Sequence, residues 1–550
     1  MKLNELLGNI KEELKNSLVK LGYYDESIDM ILETPKDKTN GDYSANVAMR
    51  YARVARKAPI MIANDIVANF DQEGLFIKEI VVANPGFINF YLDKSFLLDT
   101  VNEINELKEN YGNLNIGEGE HYNIEFVSAN PTGALHIGHA RGAAAGDSLS
   151  RILKKAGFKV TKEFYVNDAG NQIHNLAKSI DARYKQLFNL DVPIPEDGYN
   201  GPEIITTAEA IKAEYNDRFI EEDGYEFFRK YGVNTLLDRL KKDLADYGVT
   251  FDVWFSEKSL YDQNLVKSTI DLLIEKGFTY EQEGAIWLKT SNYEDEKDRV
   301  IIKSDGSLTY ITPDIAYHKN KLDRGFTKLI DILGGDHHGY INRLNAAIEM
   351  VGGKSDLLEV ELLQMVKVMQ NGEEVKMSKR SGKAITISDL VDEVGADPIR
   401  YFFAARSLNS QMDLDLDLAI RQTNENPVYY VQYAHARINS IFETAKNRGY
   451  DITKLPTEYS TITHEKSFDL VSLLATYPDI IKQAALSRGV HKLTNYINQL
   501  ASAFHSFYNA EQIVSTDQQR TLERLSLLNA TKIVIKDALN LIGVSAPNKM

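Results

Sequence analysis

Asn130-Pro131-Thr132-Gly133-Ala134-Leu135-His136-Ile137-Gly138-His139 is the stretch on which the fold turns. It stands between a short strand pattern, Tyr122 to Val127, and a long helical pattern from about His139 to Ala156. Strand, Gly- and Pro-punctuated loop, helix is how a nucleotide-binding α/β fold opens. Gly138 lets a ligand approach the backbone, and the helix start offers unpaired N–H groups to an anion. His136 and His139, one turn apart, can both donate to phosphate oxygens. An H-x-x-H pair is equally the look of an ordinary helix start with two histidines. A metal pair would need a third ligand, which is not nearby.

Working outward, the chain turns charged and tyrosine-rich from Asp191 to about Thr250, beginning with Pro193-Ile194-Pro195 and Gly198, as an insertion within such a fold would. Apolar runs at Ala285 to Leu288, Val300 to Ile302 and Leu329 to Leu333 are read as buried parallel strands that complete the sheet. Upstream, helical patterns alternate with two β-rich runs, Ile77 to Ala83 and Phe87 to Leu92, joined by Asn84-Pro85-Gly86. Downstream, Asp397 is expected to cap a helix with Pro398 at its first position, after which apolar spacings of three and four predict a helical bundle. The acidic alternation Asp413 to Leu418 interrupts that pattern.

Three units follow: an α/β domain over 1–112, a Rossmann-type parallel-sheet domain over 113–396 with an insertion at about 191–250, and an all-α bundle over 397–550. A chain of 550 residues, 43% hydrophobic, is long enough for each to bury its own core. There are no cysteines, so disulfides, thiolate nucleophiles and cysteine metal sites are excluded. The start, MKLNELLGNIKEELKN, is an amphipathic helix pattern without the marks of an export signal. No run approaches the roughly 20 apolar residues of a membrane helix, so no membrane partner is expected. The net charge of −16 argues against charge-driven, non-specific nucleic-acid binding.

Far downstream stands Lys376-Met377-Ser378-Lys379-Arg380-Ser381-Gly382-Lys383, four cations beside a glycine. Alone it would be a solvated charge run. Together, H-I-G-H and K-M-S-K resemble the paired signatures of class I aminoacyl-tRNA synthetases, which flank one ATP. Arg380 stands where the common form of the second signature has serine. H-I-G-H-A-R-G at 136–142, V-N-D-A-G-N-Q at 166–172 and N-P-V-Y-Y-V-Q-Y-A-H-A-R at 426–437 narrow the resemblance to the arginyl enzymes. Gly41 to Asn46 and Gly86 to Phe90 are similar to that family's additional N-terminal, tRNA-binding domain.

The resemblance implies ligation of L-arginine to its cognate tRNA through an adenylate, with ATP and Mg²⁺. His136, His139, Lys376 and Lys379 would be the catalytic groups, with Gly138, Gly335, Asp336, Met377 and Ser378 at ATP. Glu125, Asn130, Tyr310, Asp314 and His337 would bind arginine, whose guanidinium cannot be deprotonated and calls for planar, forked acceptors. Tyr430, Gln432, Tyr433, Arg437 and Met550 would meet the anticodon loop, although this chain ends Pro547-Asn548-Lys549-Met550 where many members end P-E-R-M. No protein metal ligand is implied, and a cytoplasmic monomer is expected.

Other readings remain open at this point. A lysyl or glutamyl enzyme could also use an acidic pocket. A catalytically dead RNA-binding paralogue would keep the bundle and not need the signatures, and a small nucleotidyltransferase would keep H-I-G-H and not need the bundle. Asp336-His337-His338 as a phosphoesterase metal motif would need further Asp and His ligands at strand ends.

Overall fold

The computed structural model describes residues 3–375 and 384–550, with the side chains of Leu3, Asn4, Lys38 and Asp336 to His338 outside that description. The helix Leu3–Lys20 turns Leu6, Ile10, Leu14 and Leu18 inward at helical spacing. They share a core with a four-stranded antiparallel sheet of β1 (Leu32–Glu33), β2 (Tyr43–Ala45), β3 (Ile77–Ala83) and β4 (Phe87–Leu92), in the order β1-β2-β4-β3. The two runs expected at 77–83 and 87–92 are strands over those same residues.

Next come β5 (His121–Glu125), β6 (Lys159–Val166) and β7 (Val253–Ser256), then β8 (Thr279–Gln282), β9 (Ala285–Leu288) and β10 (Arg299–Ile302), then β11 (Lys328–Gly334) and β12 (Leu358–Leu363). Five of these form one parallel sheet ordered β12-β11-β5-β6-β7. Numbered within the sheet this is 3-2-1-4-5, the doubly wound order, whose crevice opens beyond the carboxyl ends of β5 and β11. Two expected sheet strands belong elsewhere. Ala285–Leu288 and Arg299–Ile302 pair antiparallel with each other, and β8 joins them in a separate three-stranded sheet. A short apolar run signals burial but carries no information on strand direction.

The helix after β5 spans Ile137–Lys155, starting two residues earlier than expected because His136 is its cap. It is buried without a break from Ala140 to Ser150. A helix enclosed on every side needs small residues at its crossings, and G-A-A-A-G at 142–146 supplies them. A Cβ on Gly146 would lie 2.3 Å from the Phe126 ring. Its one internal acid, Asp147, meets Arg400 Nη2, Lys162 Nζ at 2.9 Å and Arg151 Nε at 2.9 Å.

The helices Gly170–Gln186, Pro202–Tyr215 and Tyr225–Asp246 share their own core of Ile173, Leu176, Ile180, Ile204, Ile211 and Phe228. The tyrosine-rich segment thus packs on the helix that precedes it. Beyond β13 (Val366–Gln370), β14 (Glu373–Glu374) and β15 (Met412–Asp415), the long helices Pro427–Asn447, Glu465–Leu486, His491–Ala510 and Gln518–Leu541 form the bundle. The acidic alternation begins in β15, which pairs in parallel with β13, and its last residues start the helix Leu416–Ile420. Asp397 is not a cap. The helix Ala396–Ala404 is capped by Gly395 at φ 93°, and the Asp397 carboxylate instead receives Ser545 N at 3.1 Å and Gln432 Nε2 at 2.8 Å. It holds the C-terminal tail.

Gly146→Ala is expected to lower the thermal melting midpoint, because overpacking a filled core costs about 1–3 kcal/mol. An unchanged midpoint would show that helix and strand do not meet as closely as described.

Candidate active site

Two clefts open side by side at the carboxyl ends of the central strands. The first, of about 980 Å³, is lined by Val127 to Asn130, by the H-I-G-H segment, by Gly334 and Gly335 at the end of β11, and by Leu363 to Val366 from the end of β12. At its centre the helix start folds on itself. His136 Nδ1 accepts from Gly138 N at 3.1 Å, and His139 Nδ1 accepts from His136 N at 3.2 Å. The rings lie 3.8 Å apart. Since both Nδ1 atoms accept from the backbone, each ring carries its proton on Nε2, free for a ligand.

Burial lowers the proton affinity of both rings, and the neighbouring His136 adds to this at His139, which falls to about 3. They are neutral hydrogen-bond donors at pH 7. A Cβ at Gly138 would stand 3.0 Å from His136 Cε1, crowding the ring folded over it.

Lys376, Met377, Ser378 and Lys379 lie outside the described residues, but both flanks of that segment are placed. On one side Val375 N donates to Val368 O at 2.8 Å, in the hairpin that begins at the cleft wall with Val366. On the other, Thr386 bridges to His136, and Ile387 N donates to Leu135 O at 2.8 Å. Val375 is thus fixed in the hairpin, and Thr386 beside the first signature.

The second cleft, of about 620 Å³, is lined by Tyr165, Asn167, Ala169 to Gln172, Glu257, Tyr310, Pro313, Asp314, Gly339, Tyr340 and Arg343. Asn130, on the wall of the first cleft, donates to Gln172 Oε1 in the second at 2.7 Å, so this pair stands between them. Desolvation pushes the Asp314 carboxyl up to about 6, against the hydrogen bond from Tyr340, and pushes Glu257 up to about 7, with the Asp314 charge adding to it. Two carboxyls held above their ordinary range in one cleft, with the Asp314 charge raising Glu257, form a site for a cation.

Glu257 was not anticipated from the sequence. It begins the helix after β7, V-W-F-S, and an acid directly after a parallel strand is the signal that would have found it. Tyr310, 95% exposed, lies at this cleft as expected. Glu125 lines neither cleft. Its carboxylate is engaged by Ser128 Oγ at 2.9 Å, Tyr317 Oη at 2.9 Å and Lys321 Nζ at 2.6 Å. Immediately after it, Val127 and Ser128 take φ 70° and 42°, a left-handed turn that costs about 1–3 kcal/mol per residue. Asp336 and His337 belong to the short 3₁₀ segment Gly335–Tyr340 that joins the two clefts, but their side chains lie outside those described.

In the bundle, Tyr429 and Tyr433 stack at 6.1 Å, Tyr430 and Tyr433 both meet His505, and Arg437 donates to Tyr433 Oη at 2.7 Å. These side chains form one half-exposed aromatic face. Gln432 points elsewhere: buried, it donates to Asp397 and, at 3.0 Å, to Ser545 O. Met550 is exposed, and His435 Nδ1 holds the tail through Pro547 O at 2.8 Å.

Known proteins match this arrangement throughout. The family model for the arginyl tRNA synthetase N terminal domain matches residues 8–92, that for the catalytic domain of tRNA synthetases class I (R) matches 100–416, and that for the DALR anticodon binding domain matches 431–550. The arginine–tRNA ligase of Bacillus subtilis (strain 168) is 51% identical over 547 residues, 98% of either chain. That of Anoxybacillus flavithermus is 50% identical over 554 residues, with both chains fully covered. A solved structure from Campylobacter jejuni has a TM-score of 0.77 at 37% identity, over 84% of this chain and 100% of its own. The Thermus thermophilus arginyl-tRNA synthetase, 19% identical, shares the fold with a TM-score of 0.70 over 98% of this chain and 99% of its own.

A carboxyl whose proton affinity is raised by folding contributes stability below its unfolded value, and that contribution is lost as pH rises through the folded value. For Asp314 and Glu257 the loss runs from about pH 4 up to about 7. A bound cation reverses the shift, so binding of a guanidinium ligand should release protons and weaken as pH falls below 7, by about tenfold between pH 8 and 6. Calorimetric titration in buffers of different ionisation enthalpy measures both effects. An affinity that stays flat from pH 8 to 5.5 would remove the two carboxyls from the site.

Proposed function

This chain belongs to the arginyl-tRNA synthetases, and on that footing we propose how its two clefts divide the charging of tRNA between them. It is a class I arginine–tRNA ligase: with ATP it joins L-arginine to tRNA for protein synthesis, through arginyl-adenylate, releasing pyrophosphate and AMP.

ATP occupies the first cleft. Its phosphates lie at the start of the helix Ile137–Lys155, where the Nε2 protons of His136 and His139 meet charge developing at the α-phosphate. Lys376 and Lys379 approach from the segment tied beside them, with Met377 and Ser378 framing the nucleotide. Gly138 and Gly335 admit the ligand close to the backbone, and Asp336 accepts from ribose hydroxyls. Mg²⁺ accompanies the nucleotide, held chiefly by phosphates and water.

Arginine occupies the second cleft. Asp314 and Glu257 take the guanidinium, Tyr310 packs beside it, and Asn130 holds the amino-acid end between the clefts, with Glu125 behind and His337 near the adenosine. The substrate carboxylate then faces the α-phosphorus for in-line attack, and pyrophosphate leaves. In the second step a ribose hydroxyl of the terminal tRNA adenosine attacks the mixed anhydride and AMP departs. Neither step requires a protein nucleophile.

Residues 397–550 bind the anticodon loop, with Tyr430, Tyr433 and Arg437 as a stacking and charged face and Gln432 and Met550 setting and ending the tail beside it. Residues 1–112 meet the tRNA elsewhere, and 113–396 carry the chemistry around the unit at about 191–250. The proposed setting is a monomer in the cytoplasm. Among the described residues no helix is long and apolar enough to cross a membrane.

The observation that carries this reading is the carboxylate pair of the second cleft, one hydrogen-bonded pair of residues away from the H-I-G-H cleft. Purified enzyme given total tRNA, ATP and one labelled amino acid at a time should charge arginine alone. Charging with lysine or glutamate instead would overturn the pocket assignment. With tRNA present, Asp314→Asn and Glu257→Gln should each raise the arginine KM about 30- to 100-fold and leave the ATP KM within about threefold. Lys379→Ala should sharply slow pyrophosphate exchange in a normally folded protein. Equal effects on both substrates in the first pair, or undiminished exchange in the last, would count against these roles.

A further inference from the structure

Beneath the two clefts runs a chain of buried charges that opens onto neither. Lys321, fully buried on the helix Ile311–Asp323, places Nζ 2.6 Å from Glu125, 3.1 Å from Asp331 and 4.5 Å from the centre of the Tyr317 ring. Burial alone would strip its proton, but Asp331, Glu125 and Glu163 outweigh that and hold it charged. Asp331 also faces His318 Nε2 at 3.1 Å, and His318 Nδ1 meets the Asp314 main-chain carbonyl at 2.8 Å. In the other direction, the second oxygen of Glu125 accepts from Ser128 Oγ at 2.9 Å, and Ser128 Oγ accepts from Tyr165 N at 3.1 Å.

A buried ammonium among carboxylates is a weak source of stability, since apolar residues of similar volume commonly serve as well. What it supplies is position. The place where position matters is the turn at Val127 and Ser128, whose positive φ angles, one of them on a β-branched residue, relax unless the surroundings hold them. Of the side chains at that turn, Ser128 has the polar grip, and its grip is on Glu125. Two residues later the chain reaches Asn130.

We propose that Lys321 is a positioning residue for adenylate formation. It holds the Glu125 carboxylate, Glu125 holds Ser128, and Ser128 holds the left-handed turn that aims Asn130 between the arginine and ATP clefts. The inference rests on the two-cleft reading above. A displaced turn leaves both substrates bound but misaligned, which reduces kcat far more than it raises KM.

The test is a double-mutant cycle on the full-length enzyme with tRNA, reading pyrophosphate exchange per titrated active site. Lys321→Met should lower kcat about 30-fold and Ser128→Ala about 10-fold, each with the ATP KM within about twofold, and the double variant should be no slower than Lys321→Met alone. Losses that multiply would overturn the proposal. So would a wild-type kcat in Lys321→Met, or a loss that appears only as fewer active sites. Should Lys321→Met not fold, Lys321→Arg, which keeps the charge and displaces it, takes its place in the same cycle. Asp314→Asn run in parallel separates the two levels: an unaltered arginine KM there removes the pocket itself, whereas a raised one with multiplying losses removes only the role of Lys321.

Discussion

Asp147 is the charge around which the catalytic half of the molecule is assembled. It sits in the middle of a helix buried on every side, where an unpaired carboxylate would be untenable. Burial would raise its proton affinity, yet Arg400, Arg151 and Lys162 hold it below the ordinary value. These partners come from different places: Lys162 from β6, Arg151 from the same helix one turn on, and Arg400 from the start of the C-terminal region. Arg400 in turn donates to Ile542 O at 3.0 Å, near the end of the chain. One carboxylate thus joins the sheet, the helix behind the H-I-G-H signature and the bundle. Arg141, a turn and a half earlier, ties the same helix to Gln364, Ser407 and Ser410 carbonyls at 2.8–2.9 Å.

On the proposed reading, that packing is what lets neutral histidines serve at a phosphate site. Their Nδ1 atoms are spent on the backbone of a helix that cannot move, so both Nε2 protons are aimed before a ligand arrives. On the proposed reading the fixed charge that a triphosphate needs comes from Lys376 to Lys383, and the residues on either side, Val375 and Thr386, are bonded to Val368 and His136.

The first strand, its helix and the first signature were legible because glycine, proline and a change of period all fall within a few residues of one another. The outer strands were not. β12 reads L-E-V-E-L-L, an alternation suited to a half-covered edge strand, and β7 is four residues long, so neither resembles a buried parallel strand. Missing β7 is what hid Glu257, since an acid acquires meaning only when it is known to follow a strand of the central sheet. β9 and β10 were apolar enough to be assigned to that sheet, but pairing partner is a tertiary property that composition does not encode. Asp397 and Gln432 had plausible local or ligand roles and were instead engaged by the tail at Ser545, more than a hundred residues away.

On the proposed reading, selection of arginine follows from how the acids of the second cleft are held. The Asp314 charge raises Glu257, so the cleft holds like-charge repulsion that a proton or a cation relieves. An ammonium would relieve part of it, as a compact point charge with strong hydration to lose. A guanidinium spreads one charge over a plane with five donors, and can serve two carboxylates on different elements at once. The two acids come from the helix after β7 and the helix Ile311–Asp323, on either side of the ligand space. On this reading discrimination is set by the distance the fold imposes between two helix starts, and the central sheet bears on both, since one helix leaves β7 and the other leads into β11.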